Sequence, residues 1–452
     1  MDQDGLDSRL ISAVRAGDAE AVRALLESGA APDTVNTNGL PVLCAAVAAY
    51  DAPVAEALVE GGADPDQVLP DGTTPLWRAL DGGSPAVFSA VLGKEPRLRL
   101  PEAARERLLA SARGWYETGA AEELRRRTGA PGTATTVRVQ DDEYDHVDQV
   151  SLGGLVVRAG HGAILTSLEW AFRILTPVDE LIARAVEQPD ENHVNWSTVC
   201  WVLSQRRSFE TWSAVVAHRH HPAPAHRRLV MDYLRIRALL RTGPGPGSHE
   251  KEESDHLAAW AAEETDSELL AKVLDVFTEY EHPAQEAIGL RYAGHPDPRV
   301  RREVPYALSP HDAPHTPAAR AALLTLTRDP DAEVRIRACT AGMHDDELLP
   351  EITQALLLMA EDPDPDLRAA AAGTLAGSRD RTPAVANALA TLLDEDDQLV
   401  RLEAAYGLAL RNDPRTDEAI DRVGPLDAAF EHDHRANALW RWRWRNDNST
   451  AG

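Results

Sequence analysis

The sequence predicts an all-α fold built from stacked helical repeats, with one small β-hairpin island in the middle. Two observations support this prediction. Near the N-terminus, the motif at residues 25–33 returns 33 residues later at 58–66. Self-similarity at a fixed period of this length is typical of repeat proteins. In the C-terminal half, four arginines recur 34, 33 and 33 residues apart, each after a short acidic turn: Arg301, Arg335, Arg368 and Arg401.

The N-terminal repeat combines a helix end with a tight turn. The motif reads Leu-Leu-Glu-Ser-Gly-Ala-Ala-Pro-Asp in its first copy and Leu-Val-Glu-Gly-Gly-Ala-Asp-Pro-Asp in its second. It places Gly29 and Gly62 where a helix ends in a left-handed residue. Asp71-Gly72, which follows the second copy, suits the tip of a hairpin. The pattern therefore predicts pairs of helices joined by hairpins.

Together with the Asp-Gly-Thr-Thr-Pro-Leu that starts at Asp71, this motif resembles ankyrin repeats, over residues 1–93. The resemblance implies recognition of other proteins through the hairpin tips and the concave helix face. Trp77 stands where the family usually has His, and it is a candidate binding residue. Residues 1–72 carry 13 acids and 3 arginines, so a basic partner is expected.

Each unit of the C-terminal repeat reads as a helix, an Asp/Pro turn and a second helix. Apolar helices are predicted ahead of the turns, over 318–327, 350–360 and 384–393. The second helix opens with an aspartate such as Asp331, which can cap the free amides of the first turn. No single pair can bury its apolar face, but a stack of pairs can.

These units resemble HEAT repeats, in particular the short bacterial variety, over residues 255–445 with a C-terminal cap. In this family the Asp and Arg of neighbouring units commonly form a ladder along the stack. The resemblance therefore implies a structural role, rather than ligand binding, for eight residues: Asp297, Arg301, Asp331, Arg335, Asp364, Arg368, Asp397 and Arg401.

Between the two repeat regions the chain is expected to be helical around one β-like island. Residues 94–130 are predicted to cap the N-terminal stack, and residues 131–177 to hold a linker and the island. Residues 136–140 alternate like a strand, and 151–162 suit a hairpin. The acids of 141–148 lack the Gly and the terminal Glu of a calcium-binding loop, so a solvated loop is favoured over a calcium site.

Residues 178–241 form a basic helical region, followed by a linker at 242–254. The charge reverses here, because residues 193–241 hold eight arginines and two acids. Two interpretations stay open: the region contacts an acidic partner, phosphate or nucleic acid, or it packs against the protein's own acids. Four histidines lie among these arginines at spacings unlike those of zinc sites, so no metal is expected. The candidate binding residues are Arg206, Arg207, Arg219, Arg227, Arg228 and Arg235.

Three tryptophans alternate with three arginines near the C-terminus, at residues 440–445. A free tail of this kind could stack on bases or insert at a membrane interface. In a helix, Trp440 and Trp444 share a face with Ala436 and would seal the last repeat. The helical cap is favoured, with Trp440 and Trp442 as candidate binding residues. Earlier in the chain, Trp201 is predicted to be a core residue.

The hydrophobic content, the net charge and the cysteines of the chain argue against several classes of protein. At 452 residues and 43% hydrophobic content the chain is predicted to fold, with no apolar run long enough to span a membrane. The start of the chain does not read as a signal peptide, so a cytoplasmic protein is expected. The net charge of −27 argues against general nucleic-acid binding. Cys44, Cys200 and Cys339 are far apart, which predicts buried free thiols.

The expected function is a non-enzymatic interaction scaffold or adaptor that uses the concave surfaces of its repeats. The expected partner is another protein, basic in charge, with no membrane and no cofactor. One alternative is nucleic-acid or phosphate binding through residues 206–241. An enzyme on a HEAT scaffold is a weaker alternative, because no catalytic set is found. The scarcity of Lys and the abundance of Ala, Gly and Pro suggest a bacterial source.

Overall fold

The computed structural model describes residues 3–240, 249–309, 314–427, 430 and 432–450, with the side chains of the last helix described as far as Arg445. The fold is all-α apart from one three-stranded antiparallel sheet, which confirms the predicted fold class. The chain divides into two compact units, Met1–Gly247 and Ser248–Gly452.

The first unit opens with three helix pairs. Their bounds are α1 (Gln3–Ala16) and α2 (Ala19–Glu27), α3 (Val42–Ala49) and α4 (Ala52–Glu60), α5 (Pro75–Gly82) and α6 (Pro85–Leu92). Side-chain oxygens of Asp18, Asp51, Thr74 and Ser84 accept amide bonds at the starts of α2, α4, α5 and α6. Helices α1, α3 and α5 pack as one layer, and α2, α4 and α6 as the other.

Eight further helices continue this unit. They are α7 (Pro96–Arg99), α8 (Glu102–Thr118), α9 (Ala120–Thr128), α10 (His161–Ala171), α11 (Val178–Val186), α12 (Val194–Gln205), α13 (Phe209–Ala217) and α14 (Pro224–Leu239). A 3₁₀ turn, His218–His220, lies between the last two. Helix α8 packs on α10, α10 on α12 and α12 on α14, so the stack goes on beyond the three helix pairs.

The sheet is inserted between α9 and α10. Its strands are β1 (Thr135–Gln140), β2 (His146–Leu152) and β3 (Leu155–Arg158), in the order β1-β2-β3. Gly153 and Gly154 make the tight turn between β2 and β3, both with positive φ. The sheet packs on α5 and α9, and one hydrophobic core extends from Leu10 through Phe88 to Leu168. Helix α10, which the sequence assigned to the β-like island, is thus part of the same helical stack.

The second unit consists of six helix pairs within its described residues. They are α15 (Glu250–Glu263) and α16 (Ser267–Thr278), α17 (Gln285–Tyr292) and α18 (Pro298–Ala307), α19 (Pro317–Leu326) and α20 (Ala332–Gly342), α21 (Leu349–Met359) and α22 (Pro365–Gly377), α23 (Pro383–Leu392) and α24 (Gln398–Leu410), α25 (Thr416–Val423) and α26 (His434–Thr450). The second helices pack in sequence from α16 to α26 as one continuous layer.

Helix α15 occupies part of the predicted linker. Residues 242–248 of that linker lie outside the described residues, but a helix begins at Glu250. Three glutamates stand in its first turn, Glu250, Glu252 and Glu253, where negative charge stabilises the helix dipole. The part of the predicted linker from Glu250 onward is therefore the start of a helix.

Candidate interaction surfaces

Hydrogen bonds to Asp71 and within the turn hold the hairpin between α4 and α5 in one conformation. Asp71 accepts bonds from the amide of Thr73 at 3.0 Å, from its hydroxyl at 2.6 Å and from Arg78 at 2.7 Å. The bonds from Thr73 and then Arg78 hold the pKa of Asp71 at about 2. Gly72 turns the tip with a φ of +79°, and its amide donates to the Leu69 carbonyl at 2.9 Å. The hairpin can present its side chains without reorganising.

A groove of about 510 Å³ lies between this hairpin, the start of α5 and helices α7 and α8. We call it the hairpin groove. Val68 is 75% exposed on its rim, and the partly buried Trp77 lines it together with Leu100 and Ala104. Arg107 adds an exposed cation to the opposite wall. The groove combines apolar contact area with a charged margin, which is the usual composition of a protein-binding site.

A wider groove of about 960 Å³ lies on the other helix layer, along α4 and α6 and beside the turn between β1 and β2. We call it the acidic groove. Its floor is made of small residues, including Ala52, Ala86 and Ala90. Its lining carries more negative than positive charge: Glu56, Glu60, Asp141, Asp142 and Glu143 against Lys94. Glu60 lies 3.6 Å from Lys94.

The arginines singled out in the basic region do not share one environment. Arg206 is buried, and it donates to the Thr176 carbonyl at 2.7 Å. Arg206 therefore lies inside the unit, where its guanidinium donates a hydrogen bond to a loop carbonyl. Arg207, the next residue, is exposed. Sequence reasoning could not separate these neighbours, because only the turn after α12 decides which of them points inward.

Three further arginines of this region lie close to polar groups of the same unit. Arg219 donates to the His220 ring at 2.8 Å, and Arg227 to the His221 carbonyl at 3.1 Å. Arg235 lies 4.0 Å from Asp232, and Arg228 is partly buried. Part of the positive charge of this region is thus engaged in contacts within the first unit.

Three histidines stack where α13, the 3₁₀ turn and α14 meet. The rings of His221 and His226 lie 3.6 Å apart, and those of His218 and His226 lie 5.3 Å apart. Asp179 of α11 lies 3.1 Å from His218. Within the described residues, no group of three His, Cys, Asp or Glu side chains is placed to hold a metal ion.

In the second unit, the repeated arginines bond to the turn that precedes their own helix. The Nη1 of Arg301 donates to the carbonyls of His295 and Pro296, at 2.8 and 3.0 Å. The same pair of carbonyl bonds is made by Arg335, Arg368 and Arg401. The spacing of 33 to 34 residues thus reproduces one local contact in four successive repeats.

The acids of the expected ladder are partly different from those named in the sequence. Arg301 reaches across to Asp329 with two bonds of 2.7 Å, and Arg368 reaches Glu395 at 2.9 and 2.8 Å. Asp331, two residues after Asp329, is bonded by Arg302 instead. The carboxylates of the aspartates named in the sequence turn toward amides of their own helices: Asp297, Asp331, Asp364 and Asp397 are all N-caps.

The C-terminal helix α26 does cap the stack, but not with the predicted face. Leu439 and Trp442 are buried, and α26 packs on α24. Trp440 and Trp444 are 68% and 59% exposed, so the prediction that they seal the last repeat is wrong. Arg443 ties the helix to Asp421 of α25 at 2.7 Å.

Titratable groups with displaced pKa values have structural partners. Burial raises the pKa of Glu303 to about 7, although Arg337 lies 2.9 Å away. Burial also raises the pKa of Asp145 to about 6, where it accepts a bond from Ser197 at 2.5 Å. Neither residue lines the hairpin groove or the acidic groove. Cys44, Cys200 and Cys339 are buried, and burial raises the pKa of each thiol, so none is activated as a nucleophile.

Comparison with known protein families explains both repeat regions. A family model for ankyrin repeats, in three copies, matches residues 10–99, which include the hairpin side of the hairpin groove but not its wall on α8. A family model for HEAT repeats matches residues 320–409 and 352–424. The chain carries ankyrin repeats followed by HEAT repeats. Repeats of both kinds are typical of scaffolds that bind other proteins. In the described part of the ankyrin–HEAT chain, no helix is both long enough and apolar enough for a membrane span.

Solved structures include distant similarities to this ankyrin–HEAT chain. YibA of Escherichia coli is 17% identical over 60% of this chain and 93% of its own, with a TM-score of 0.42. An engineered protein is 14% identical over 98% of each chain, with a TM-score of 0.31. No curated protein matches the chain.

Proposed function

We propose that this protein is a non-enzymatic interaction scaffold that binds a segment of a partner protein in the hairpin groove of its ankyrin repeats. The observation that supports this most directly is the exposure of Val68 beside Trp77 on a hairpin held rigid by Asp71. A preorganised groove loses little conformational freedom on binding, which favours affinity. Aromatic residues in such grooves often supply much of the binding energy.

The partner is proposed to be basic. The acidic groove of the same unit is lined by five carboxylates and one lysine, and the whole chain has a net charge of −27. A field of this sign accelerates the encounter with a positively charged protein and opposes binding of nucleic acid. The burial of Arg206 and the internal bonds of Arg219 and Arg227 weaken the alternative of nucleic-acid binding through residues 206–241.

The test uses a charge placed on the groove rim and a matched control. Val35 and Val68 stand at equivalent hairpin positions, 33 residues apart, and both are exposed, but only Val68 lines the groove. The full-length protein, Val68→Asp and Val35→Asp serve as baits for capture from the lysate of the native host. The captured partner is then identified, purified and titrated against all three proteins.

The proposal expects a basic protein whose affinity falls at least about tenfold for Val68→Asp and stays within about twofold for Val35→Asp. Equal losses of affinity for both variants would show that the partner contacts both hairpins and not the hairpin groove in particular. A partner that binds both variants like the wild type would refute the hairpin groove. Recovery of nucleic acid alone, released by salt, would refute the scaffold itself.

A further inference from the structure

The last helix has two unlike faces. Leu439 and Trp442 are 4% and 9% exposed and form its inner face. Successive residues of a helix are turned by about 100°, so Trp440 and Trp444 lie together on the other side, one turn apart. Both indoles are exposed, at 68% and 59%. Large apolar side chains concentrated in this way on a surface generally mark a binding site.

The same outer face is positively charged. Arg441 and Arg445 follow the two tryptophans directly and are exposed. Arg435 and Arg443, by contrast, lie at the edge of the inner face and bond to acids, Arg435 to Asp433 at 2.6 Å. Among residues 434–445 there is no carboxylate at all. We call Trp440, Arg441, Trp444 and Arg445 the Trp/Arg face.

If α26 only capped the stack, a polar outer surface would be sufficient. Terminal units of helical stacks normally carry such a surface, because it keeps the exposed end soluble. The buried Trp442 already supplies the packing that closes the stack. Trp440 and Trp444 stay 68% and 59% exposed beside it. Trp and Arg are the residue types most enriched among the dominant contacts of protein interfaces.

We propose that the Trp/Arg face docks a short acidic segment of a partner protein. Apolar side chains of the segment would cover Trp440 and Trp444, while its carboxylates would receive hydrogen bonds from the guanidinium groups of Arg441 and Arg445. Arginine suits this role because its planar fork bonds a carboxylate with two parallel hydrogen bonds. This site lies in the second unit and does not depend on the hairpin groove.

Neighbouring charges favour a peptide over a nucleic-acid strand. The preceding helix α25 borders α26 with exposed acids, Asp417, Glu418 and Asp421, which are 66%, 65% and 73% exposed. A nucleic-acid strand carries a charge at every nucleotide and would extend past the small face toward these acids. A peptide can confine its one or two carboxylates to the face and place neutral residues elsewhere.

The test is panning of a phage-displayed library of random peptides against the full-length protein, after depletion on the Trp440→Ala/Trp444→Ala variant. Selected peptides are then titrated by fluorescence anisotropy. The matched control is Trp201→Ala, since Trp201 is 51% exposed in the other unit. A second variant, Arg441→Glu/Arg445→Glu, tests the charge. Thermal unfolding of every variant shows whether it is folded.

The expected result is a set of peptides rich in Asp, Glu and large apolar residues. Their affinity should fall at least about tenfold for both double variants and stay unchanged for Trp201→Ala. Selected peptides without an acidic excess, or with equal affinity for the tryptophan variant, would overturn the proposal. So would single-stranded DNA or anionic phospholipid vesicles, added separately, if either bound this face and the peptides did not. A failure of the hairpin groove would leave these results unchanged.

Discussion

Arg158 and the buried Asp141 form a largely buried ion pair, 2.7 Å long, that joins the end of β3 to the turn after β1. The same carboxylate accepts the Ser84 hydroxyl at 2.6 Å and the Ala86 amide at 2.8 Å, at the start of α6. The guanidinium of Arg158 also lies 4.3 Å from the centre of the Tyr50 ring. One carboxylate thus holds the small sheet against the ankyrin repeats, although the sequence placed it in a solvated loop.

Replacing this carboxylate should destabilise the first unit. Asp141→Ala leaves Arg158 buried without its counter-charge, which we expect to lower the free energy of unfolding by about 3 kcal/mol. Urea denaturation measures the loss, and hydrogen exchange should locate it in β1, β3 and α6. Glu143→Ala, an exposed acid of the same turn, is the control and should change stability by less than about 0.5 kcal/mol. Equal effects of the two substitutions would contradict the ion-pair assignment.

Gly83 should be intolerant of any side chain. Its φ is +73°, and an added Cβ would lie 1.9 Å from the Arg158 carbonyl oxygen. We expect Gly83→Ala to lower the free energy of unfolding by at least about 3 kcal/mol. Gly129→Ala provides a control for the conformation alone, because Gly129 has a φ of +65° with open space around it, and should lose about 1 kcal/mol. Similar losses would show that contact with the sheet contributes nothing.

His161 should make the first unit sensitive to acid. Burial lowers the pKa of His161 to about 4, and the ring stacks on Trp115 while its Nε2 lies 3.0 Å from the Leu80 carbonyl oxygen. Unfolding restores a pKa near 6.5, so the unfolded chain binds the proton more readily. Stability should therefore be constant above about pH 6.5 with respect to this group. It should fall by about 3 kcal/mol as the pH drops from about 6.5 to about 4.

The measurement is urea denaturation at a series of pH values for the wild type and His161→Gln. The variant should be less stable at neutral pH and should lose the part of the acid dependence that this ring causes. Identical slopes between pH 6.5 and 4 in both proteins would rule out the buried neutral histidine as the source.

The two neighbouring tryptophans of α26 should differ in their effect on stability. Trp442→Ala removes a buried side chain, so we expect a loss of about 3 kcal/mol. Trp440→Ala changes an exposed one and should stay within about 0.5 kcal/mol. Hydrogen exchange in α24 and α26 reports both. A larger loss of stability for Trp440→Ala than for Trp442→Ala would support the inner face that the sequence predicted.

Arg301 should tolerate lysine less well than Arg335. Both arginines bond the carbonyls of the preceding turn, but Arg301 also makes two bonds to Asp329. A lysine cannot supply both sets at once. We expect Arg301→Lys to lose about 1 kcal/mol more than Arg335→Lys. Urea denaturation of the two variants side by side would refute this if their midpoints coincide.

The repeat regions show how much could be predicted from sequence. Helices expected over 318–327, 350–360 and 384–393 form within one residue of those bounds, as α19, α21 and α23. These predictions depend on capping residues and apolar periodicity, which act within one or two helical turns. Local signals of that kind are fully contained in the sequence.

Predictions that depended on which side of an element meets its neighbour were less successful. Trp201 was expected in the core and is 51% exposed. Trp440 and Trp444 were expected to seal the last repeat but are exposed, and Trp442 is buried instead, because α24 approaches the side of α26 that carries Leu439. Arg206 and Arg207 differ only in the direction that the turn after α12 gives them.

The candidate surfaces were visible only in part. Trp77 stood out because it replaces the usual histidine of an ankyrin repeat, and it does line the hairpin groove. Nothing in the sequence marked Val68 as a binding residue, because a single valine in a predicted loop is common in proteins. Its place on the groove rim depends on α7 and α8, which follow it by some thirty residues and pack beside the hairpin.

By itself, the sequence determined the class of this protein: two kinds of repeats, their periods, their capping residues and an acidic overall charge. These properties follow from local spacing and composition. Only the tertiary structure decided that Asp141 is buried, that Asp329 rather than Asp331 meets Arg301, and that two tryptophans of α26 are exposed. Each of these depends on segments distant in sequence that come together on folding, and burial and charge pairing arise only from that approach.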